Sequence, residues 1–148
     1  MRVSVIGGGE TTSAQESTAE TVGRTVAARG HTLVCGGLGG TMAAACRGAH
    51  RAGGTTIGIL PTADPADANP HVDVPIATGL GHARNALVPL NGDGVVALPG
   101  GPGTLTEIGF AQIHDRPVVG IETHDVPGVK RVETPTAAID RLEELVTP

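Results

Sequence analysis

Short apolar runs that end in glycine clusters alternate along the chain with segments of helical periodicity. Residues 2–6 form the first such run, closed by Gly7-Gly8-Gly9, and predict a buried strand feeding a glycine turn. A helix follows: Ser13-x-x-Glu16 has capping-box spacing, Ala19, Val22, Val26 and Ala27 recur at helical intervals, and Gly30 supplies a left-handed stop. The unit repeats in His31 to Cys35, the turn Gly36-Gly37-Leu38-Gly39-Gly40, and a helix marked by Met42, Ala45, Cys46 and Ala49. Thr55 to Leu60 and Val74 to Ala77 read as third and fourth strands. Between them Pro61 to His71, with three prolines and no periodicity, reads as a surface loop near a site. Gly79 and Gly81 introduce a helix from His82 to Leu90, and Gly94 to Leu98 is a fifth strand. The turn Pro99-Gly100-Gly101-Pro102-Gly103 then leads into a helix from Thr104 to His114, and Pro117 to Ile121 is a sixth strand. Val129 to Glu133 suits a short edge strand, and Thr134-Pro135 starts a last helix with Ile139, Leu142 and Val146 on one face.

This alternation predicts an α/β fold: one domain, residues 1–148, with a doubly wound, mostly parallel sheet of six or seven strands and helices on both faces. In such folds ligands bind beyond the carboxyl ends of the strands, where all three glycine turns must lie. Composition agrees. Hydrophobic residues at 39% and charged residues at 17% are too apolar and too weakly charged for a disordered chain. Phe110 is the only aromatic residue, so the core is built from Val, Ile, Leu and Ala, as β-branched parallel strands against Ala-rich helices require.

Charge narrows the partners. A net charge of -5, a single lysine (Lys130) and one aromatic ring argue against nucleic acid, which needs clustered cations and stacking platforms. Two cysteines are too few for a secreted disulfide scaffold, and the first residues lack the order of a signal peptide. No apolar run reaches the roughly 18 residues of a membrane span. The expectation is a cytoplasmic protein with reduced thiols and no membrane partner.

A strand–turn–helix unit rich in glycine lets backbone amides approach an anion, and the helix amino terminus adds partial positive charge. The expected guest is a phosphate on a small molecule. The Walker pattern is absent because Lys130 lies elsewhere, and GxGxxG fails at each turn, meeting Thr12, Met42 or Thr106 where the last glycine belongs. The alternative is that these glycines merely permit tight turns.

A longer motif is more specific. Gly81-His82-Ala83-Arg84-Asn85 is followed, after a helix and a strand, by Pro99-Gly100-Gly101-Pro102-Gly103-Thr104-Leu105-Thr106-Glu107. PGGxGTxxE with an upstream arginine, together with GGxxGxM at Gly36 to Met42, resembles the superfamily of the Lonely Guy cytokinin-activating phosphoribohydrolases. That superfamily includes proteins called lysine decarboxylase-like, the molybdenum cofactor carriers and DNA-processing protein A. The resemblance runs from the first strand to Ile121, and the short chain is similar to the compact, carrier-like branch. Asn85 and Leu87 depart from the phosphoribohydrolases, which carry Lys or His and then Met at those places.

The resemblance implies a Rossmann-like, homodimeric or homotetrameric protein that binds a nucleotide monophosphate or phosphorylated cofactor over the PGGPGT loop. It implies contacts from Gly8, Gly9, Gly37, Gly39, Gly40, Thr41, Met42, Asn85, Pro99, Gly100, Gly101, Gly103 and Thr104. It makes Arg84 and Glu107 catalytic, with no catalytic cofactor and no metal. Two functions stay open: hydrolysis of the N-glycosidic bond of a nucleoside 5-monophosphate, and a non-catalytic molybdenum cofactor carrier or nucleotide sensor. Hydrolysis passes through an oxocarbenium-like sugar that a carboxylate such as Glu107 can stabilise.

Plainer readings stand beside these. Thr104-x-x-Glu107 is also a capping box that would serve only its own helix. His82 suits a proton donor or an ordinary loop histidine. Glu10 suits a ribose contact or a surface carboxylate, and His71, Asp67 and Asp73 a pocket rim. Cys46 and His50, four apart on a helix near Cys35, have a metal-capable spacing, yet buried free cysteines commonly act as small hydrophobes.

Overall fold

Strand β1 (Arg2–Ile6) shows how the core is divided. Its side chains alternate, Val3 and Val5 to one face of the sheet and Ile6 to the other, where it joins a separate buried cluster. Both faces are covered, which is why the strand is almost continuously apolar. A computed structural model describes residues 1–146. It contains β1, α1 (Ser13–Ala28), β2 (Thr32–Cys35), α2 (Thr41–Arg51), β3 (Thr56–Leu60), β4 (Val74–Ala77), α3 (Leu87–Leu90), β5 (Gly94–Ala97), α4 (Pro102–Ile113), β6 (Val118–Gly120), β7 (Lys130–Arg131) and α5 (Pro135–Val146).

All seven strands are parallel, in the order β4-β3-β2-β1-β5-β6-β7. The chain builds outward from β1 in one direction, then returns to add β5, β6 and β7 on the other side. The crevice between the ends of β1 and β5 is therefore the topological switch point. Helices α1, α2 and α5 cover one face, where Val22, Val26, Ala45, Ile139 and Leu142 join Val3, Val5, Leu33 and Val96. Helices α3 and α4 cover the other, where Val88, Ile108 and Ala111 meet Ile6, Val34, Ile59 and Val95. The expected fold class holds in both its parallel sheet and its two helical layers.

Helices α1 and α2 pack backbone against backbone. A β-carbon on Gly23 would stand 1.9 Å from the Ala45 carbonyl oxygen, and one on Gly48 would stand 1.9 Å from that of Glu20. Glu20 also ties the pair together by accepting from Arg47 Nε at 3.1 Å and Arg51 Nη1 at 2.8 Å. Those guanidinium groups hold the Glu20 carboxyl below its ordinary pKa.

Two local expectations shift. The capping box of α1 is Thr12 with Gln15: the Thr12 hydroxyl accepts from the Gln15 amide, and the Gln15 side chain accepts from the Thr12 amide. Ser13, one residue later, is already inside the helix. The helix expected from His82 to Leu90 is a 3-10 turn over Gly81–Ala86 followed by the single α-turn α3. Gly79 and Gly81, both at positive φ, bring the chain in too tightly for α geometry. Among the described residues no helix is long and apolar enough to cross a membrane.

Candidate functional site

Backbone contacts between the glycine turns build the site. The Gly8 amide donates to the Pro99 carbonyl at 2.9 Å, and the Thr41 amide donates to the Gly8 carbonyl at 3.0 Å. The three turns thus meet at the switch point. Gly40 makes this possible: at φ +58 it lies so close to the Gly8 and Gly9 carbonyls that a β-carbon would stand 2.5 Å from each. Beside this junction opens a cavity of about 410 Å³, a usual size for a small-molecule site.

Its lining gathers much of the predicted set. Gly8, Gly9, Met42, Arg84, Asn85, Gly101, Gly103, Thr104 and Glu107 face it, together with Gly36, Leu38, Pro61 and the exposed His82. The other expected contacts stand behind the wall. Pro99 and Thr41 supply the backbone junction, and Gly100 makes room for the Thr104 side chain, whose Oγ1 would lie 2.0 Å from a β-carbon there. The Gly37 amide donates to Cys35 Sγ at 3.3 Å, and Gly39 accepts from the Met42 amide at 3.2 Å.

At one end of the cavity α4 begins. Its N-cap is Gly101, with no side-chain cap, and Pro102 occupies the first turn without an amide hydrogen. Thr104 is therefore inside the helix, and the capping-box reading of Thr104 and Glu107 is corrected. The amides of Gly103 and Thr104 have no acceptor within the helix, since the first intrahelical bond runs from Leu105 to the Gly101 carbonyl at 3.2 Å. Thr104 is 3% exposed and borders the cavity, and its hydroxyl makes no hydrogen bond among the described residues. These groups and the helix dipole can hold an anion.

Arg84 is only 8% exposed and is held by acceptors from three directions. Its Nε donates to the Ile59 carbonyl at 2.9 Å, Nη2 to the Gly36 carbonyl at 3.5 Å, and Nη1 to the Asn85 side-chain oxygen. Burial lowers its pKa and the Glu107 charge opposes that shift, leaving a guanidinium that stays charged. Glu107, also 8% exposed, makes neither an ion pair nor a hydrogen bond with Arg84. Burial pushes its carboxyl up to about 8 against the pull of Arg84. At neutral pH the site thus presents a fixed cation, a carboxylic acid, a free hydroxyl and two free amides.

Two positioning residues had no local signal in the sequence. Asn69, from the loop before β4, donates its side-chain amide to the Leu38 carbonyl at 2.9 Å and the Gly37 carbonyl at 3.3 Å, and so ties down the second glycine turn. Thr106 accepts from the Asn85 amide at 3.3 Å and donates to the Gly103 carbonyl at 2.6 Å, which links Arg84 through Asn85 to the first turn of α4. The surface-loop expectation for Pro61 to His71 is met in Pro61, on the cavity wall, and in Asn69. Asp73 lies elsewhere: it accepts from the Thr56 amide at 2.9 Å and faces His50 at 3.5 Å. The Cys46 thiol contacts Cys35, with 3.4 Å between the Sγ atoms.

Known proteins share this fold. The family model described as the SLOG cluster4 family matches residues 1–146. The molybdenum cofactor binding protein of the phototrophic bacterium Rippkaea orientalis has a similar structure, with a TM-score of 0.92 and 32% identity over 99% of this chain and 97% of that one. An uncharacterised protein of Archaeoglobus fulgidus is 37% identical over 95% of this chain and 93% of its own length. The cytokinin riboside 5'-monophosphate phosphoribohydrolase of Mycobacterium tuberculosis is 34% identical over 68% of this chain and 59% of its own.

Proposed function

Because the chain belongs to the SLOG cluster4 family, we propose that it binds a phosphorylated small molecule in the switch-point cavity and holds it intact. One observation carries this reading: the free amides of Gly103 and Thr104, the Thr104 hydroxyl and the Arg84 guanidinium all border one cavity of about 410 Å³. The phosphate sits at the amino terminus of α4, Arg84 balances its charge, and Glu107, as the acid, donates a hydrogen bond to the ligand. A carboxyl that stays protonated to about pH 8 offers no negative charge to a developing sugar cation. The cargo best supported is the molybdenum cofactor, a pterin whose side chain ends in phosphate, in keeping with the likeness to the Rippkaea protein.

A second reading, hydrolysis of a nucleoside 5-monophosphate to base and ribose 5-phosphate, is favoured by Glu107 standing free beside Arg84 and by the likeness to the Mycobacterium enzyme. On that reading Glu107 must ionise, so base release rises with pH through about 8. The test pairs two measurements on the pure protein: fluorescence titration with molybdopterin, and chromatography of free base from a panel of monophosphates below and above pH 8. Tight pterin binding without base release supports the carrier. Base release that is lost in Glu107→Gln replaces it with the hydrolase, and the absence of both pterin binding and base release overturns the binding proposal. We also propose self-association as a dimer or tetramer, supported by Leu105 and Ile113, 45% and 70% exposed on α4. Light scattering after size-exclusion chromatography decides it.

A further inference from the structure

The chain's two cysteines touch. Cys35 ends β2 and Cys46 lies on the inward face of α2, with the two Sγ atoms 3.4 Å apart and both residues fully buried. A buried thiol is ordinarily an inert small hydrophobe. Here the two thiols are already in contact, so the second step of an oxidation requires no large approach. We infer that Cys35 and Cys46 form a dithiol modification site that a hydroperoxide closes into a disulfide, loosening the glycine turn beneath Arg84.

The two thiols are not equivalent. Cys35 Sγ accepts a hydrogen bond from the Gly37 amide at 3.3 Å, shares an S–H···S contact with Cys46 in which either thiol can donate, and has the Arg84 charge nearby. Those contacts, led by Cys46, favour the Cys35 thiolate against burial. The opposite holds for Cys46, where the neighbouring Cys35 and burial push the thiol up. Cys35 is thus the nucleophile and Cys46 the resolving thiol. Neither cysteine lines the cavity, but its wall reaches Met42 and Gly36, the residue after Cys35, so the peroxide enters when the turn opens at Gly36.

The Cys35 thiolate attacks one peroxide oxygen, the O–O bond breaks, and the departing oxygen takes a proton and leaves as water from hydrogen peroxide or as an alcohol from an organic hydroperoxide. Cys46 then attacks the Cys35 sulfenic acid, forms the S–S bond and expels water. The two thiols lose two electrons and the peroxide gains them. Bonding draws the sulfurs from 3.4 Å to about 2.0 Å and removes the thiolate that the Gly37 amide faces. The adjoining turn takes up the movement at Gly36 and Gly37, and the Gly36 carbonyl is one of the three acceptors of Arg84.

The test uses the full chain, reduced, freed of reductant and titrated with hydrogen peroxide. Intact mass is expected to fall by about 2 Da, with neither cysteine alkylated after unfolding. Hydrogen exchange in the peptide containing Gly36 to Gly40 is expected to quicken by about tenfold or more in the oxidised protein. In Cys46→Ala, dimedone is expected to trap a sulfenic acid on Cys35. Two free thiols after peroxide, disulfides only between chains, or a disulfide with unchanged exchange in that peptide each overturn the proposal, as does the absence of trapping at Cys35.

Discussion

Gly36 lies so close beneath Arg84 that a β-carbon on the glycine would stand 2.7 Å from Nη2. The glycine leaves room for the arginine to lie flat against the end of β2 while donating to the Gly36 carbonyl. Replacing it therefore acts on Arg84 and on Met42, whose Sδ would also stand 2.7 Å away, because the far end of a long side chain yields more cheaply than backbone. Gly36→Ala is expected to leave the melting temperature within a few degrees of the parent while weakening adenosine monophosphate binding by about tenfold or more. Calorimetric titration beside a thermal melt checks both halves; full affinity in the variant would show that Arg84 does not meet the ligand.

Glu107 makes stability depend on pH. Its carboxyl titrates near 8 when folded and near 4.5 when unfolded. Between those values the folded state binds the extra proton, so stability falls as pH rises, by up to ~1.4 kcal/mol per pH unit, and levels off above 8. Below the unfolded value the contribution is fully present. Urea denaturation across this range is expected to show a shallower fall in Glu107→Gln than in the parent. Parallel curves would place the Glu107 pKa at its ordinary value.

The relay from Arg84 through Asn85 to Thr106 is expected to behave as one unit. Asn85→Ala leaves the Arg84 Nη1 without its acceptor and is expected to cost about 1–3 kcal/mol. Adding Thr106→Val to that variant is expected to cost less than Thr106→Val alone, because the link it breaks is already gone. A double-mutant cycle by chemical denaturation measures the coupling. Strict additivity would mean that Asn85 and Thr106 act separately.

The crossing of α1 and α2 leaves no space at Gly48. Alanine gains up to about 1 kcal/mol of helix propensity over glycine, but its methyl would stand 1.9 Å from the Glu20 carbonyl oxygen. Backbone has to move, so the overpacking penalty dominates and a net loss of about 1–3 kcal/mol is expected for Gly48→Ala. Gly9→Ala, with nothing within 4 Å of the new carbon, serves as the control in the same thermal melt.

Much of this architecture was legible in the chain because buried parallel strands are short apolar runs, and each ends in a glycine or proline punctuation that survives folding. β4 falls on Val74–Ala77 as expected, and β1 on residues 2–6. The gathering of Arg84, Thr104 and Glu107 around one cavity was legible from the motif. Long-range choices were not. The spacing of Thr104 and Glu107 suits a cap and a pocket wall equally, and only the start of α4 at Pro102 separates them. Asn69 reaches back to the Leu38 carbonyl across a connection with no periodicity, so nothing local marks it. The 3-10 turn at Gly81–Ala86 depends on positive φ at Gly79 and Gly81, which a glycine permits without requiring.

The strand order also has a consequence for how the chain comes into being. β1 leaves the ribosome before the other six strands and ends in the middle of the sheet, but its partner on one side begins only at Gly94, paired with Val3. Until that stretch is made, β1 presents one open row of amides and carbonyls beside the apolar side chains of a future interior. Such an edge is a template for pairing with any extended chain nearby. The half of the molecule that carries the first two glycine turns thus passes through a period of exposure to misassembly, which ends when β5 docks and the Gly8 amide finds the Pro99 carbonyl.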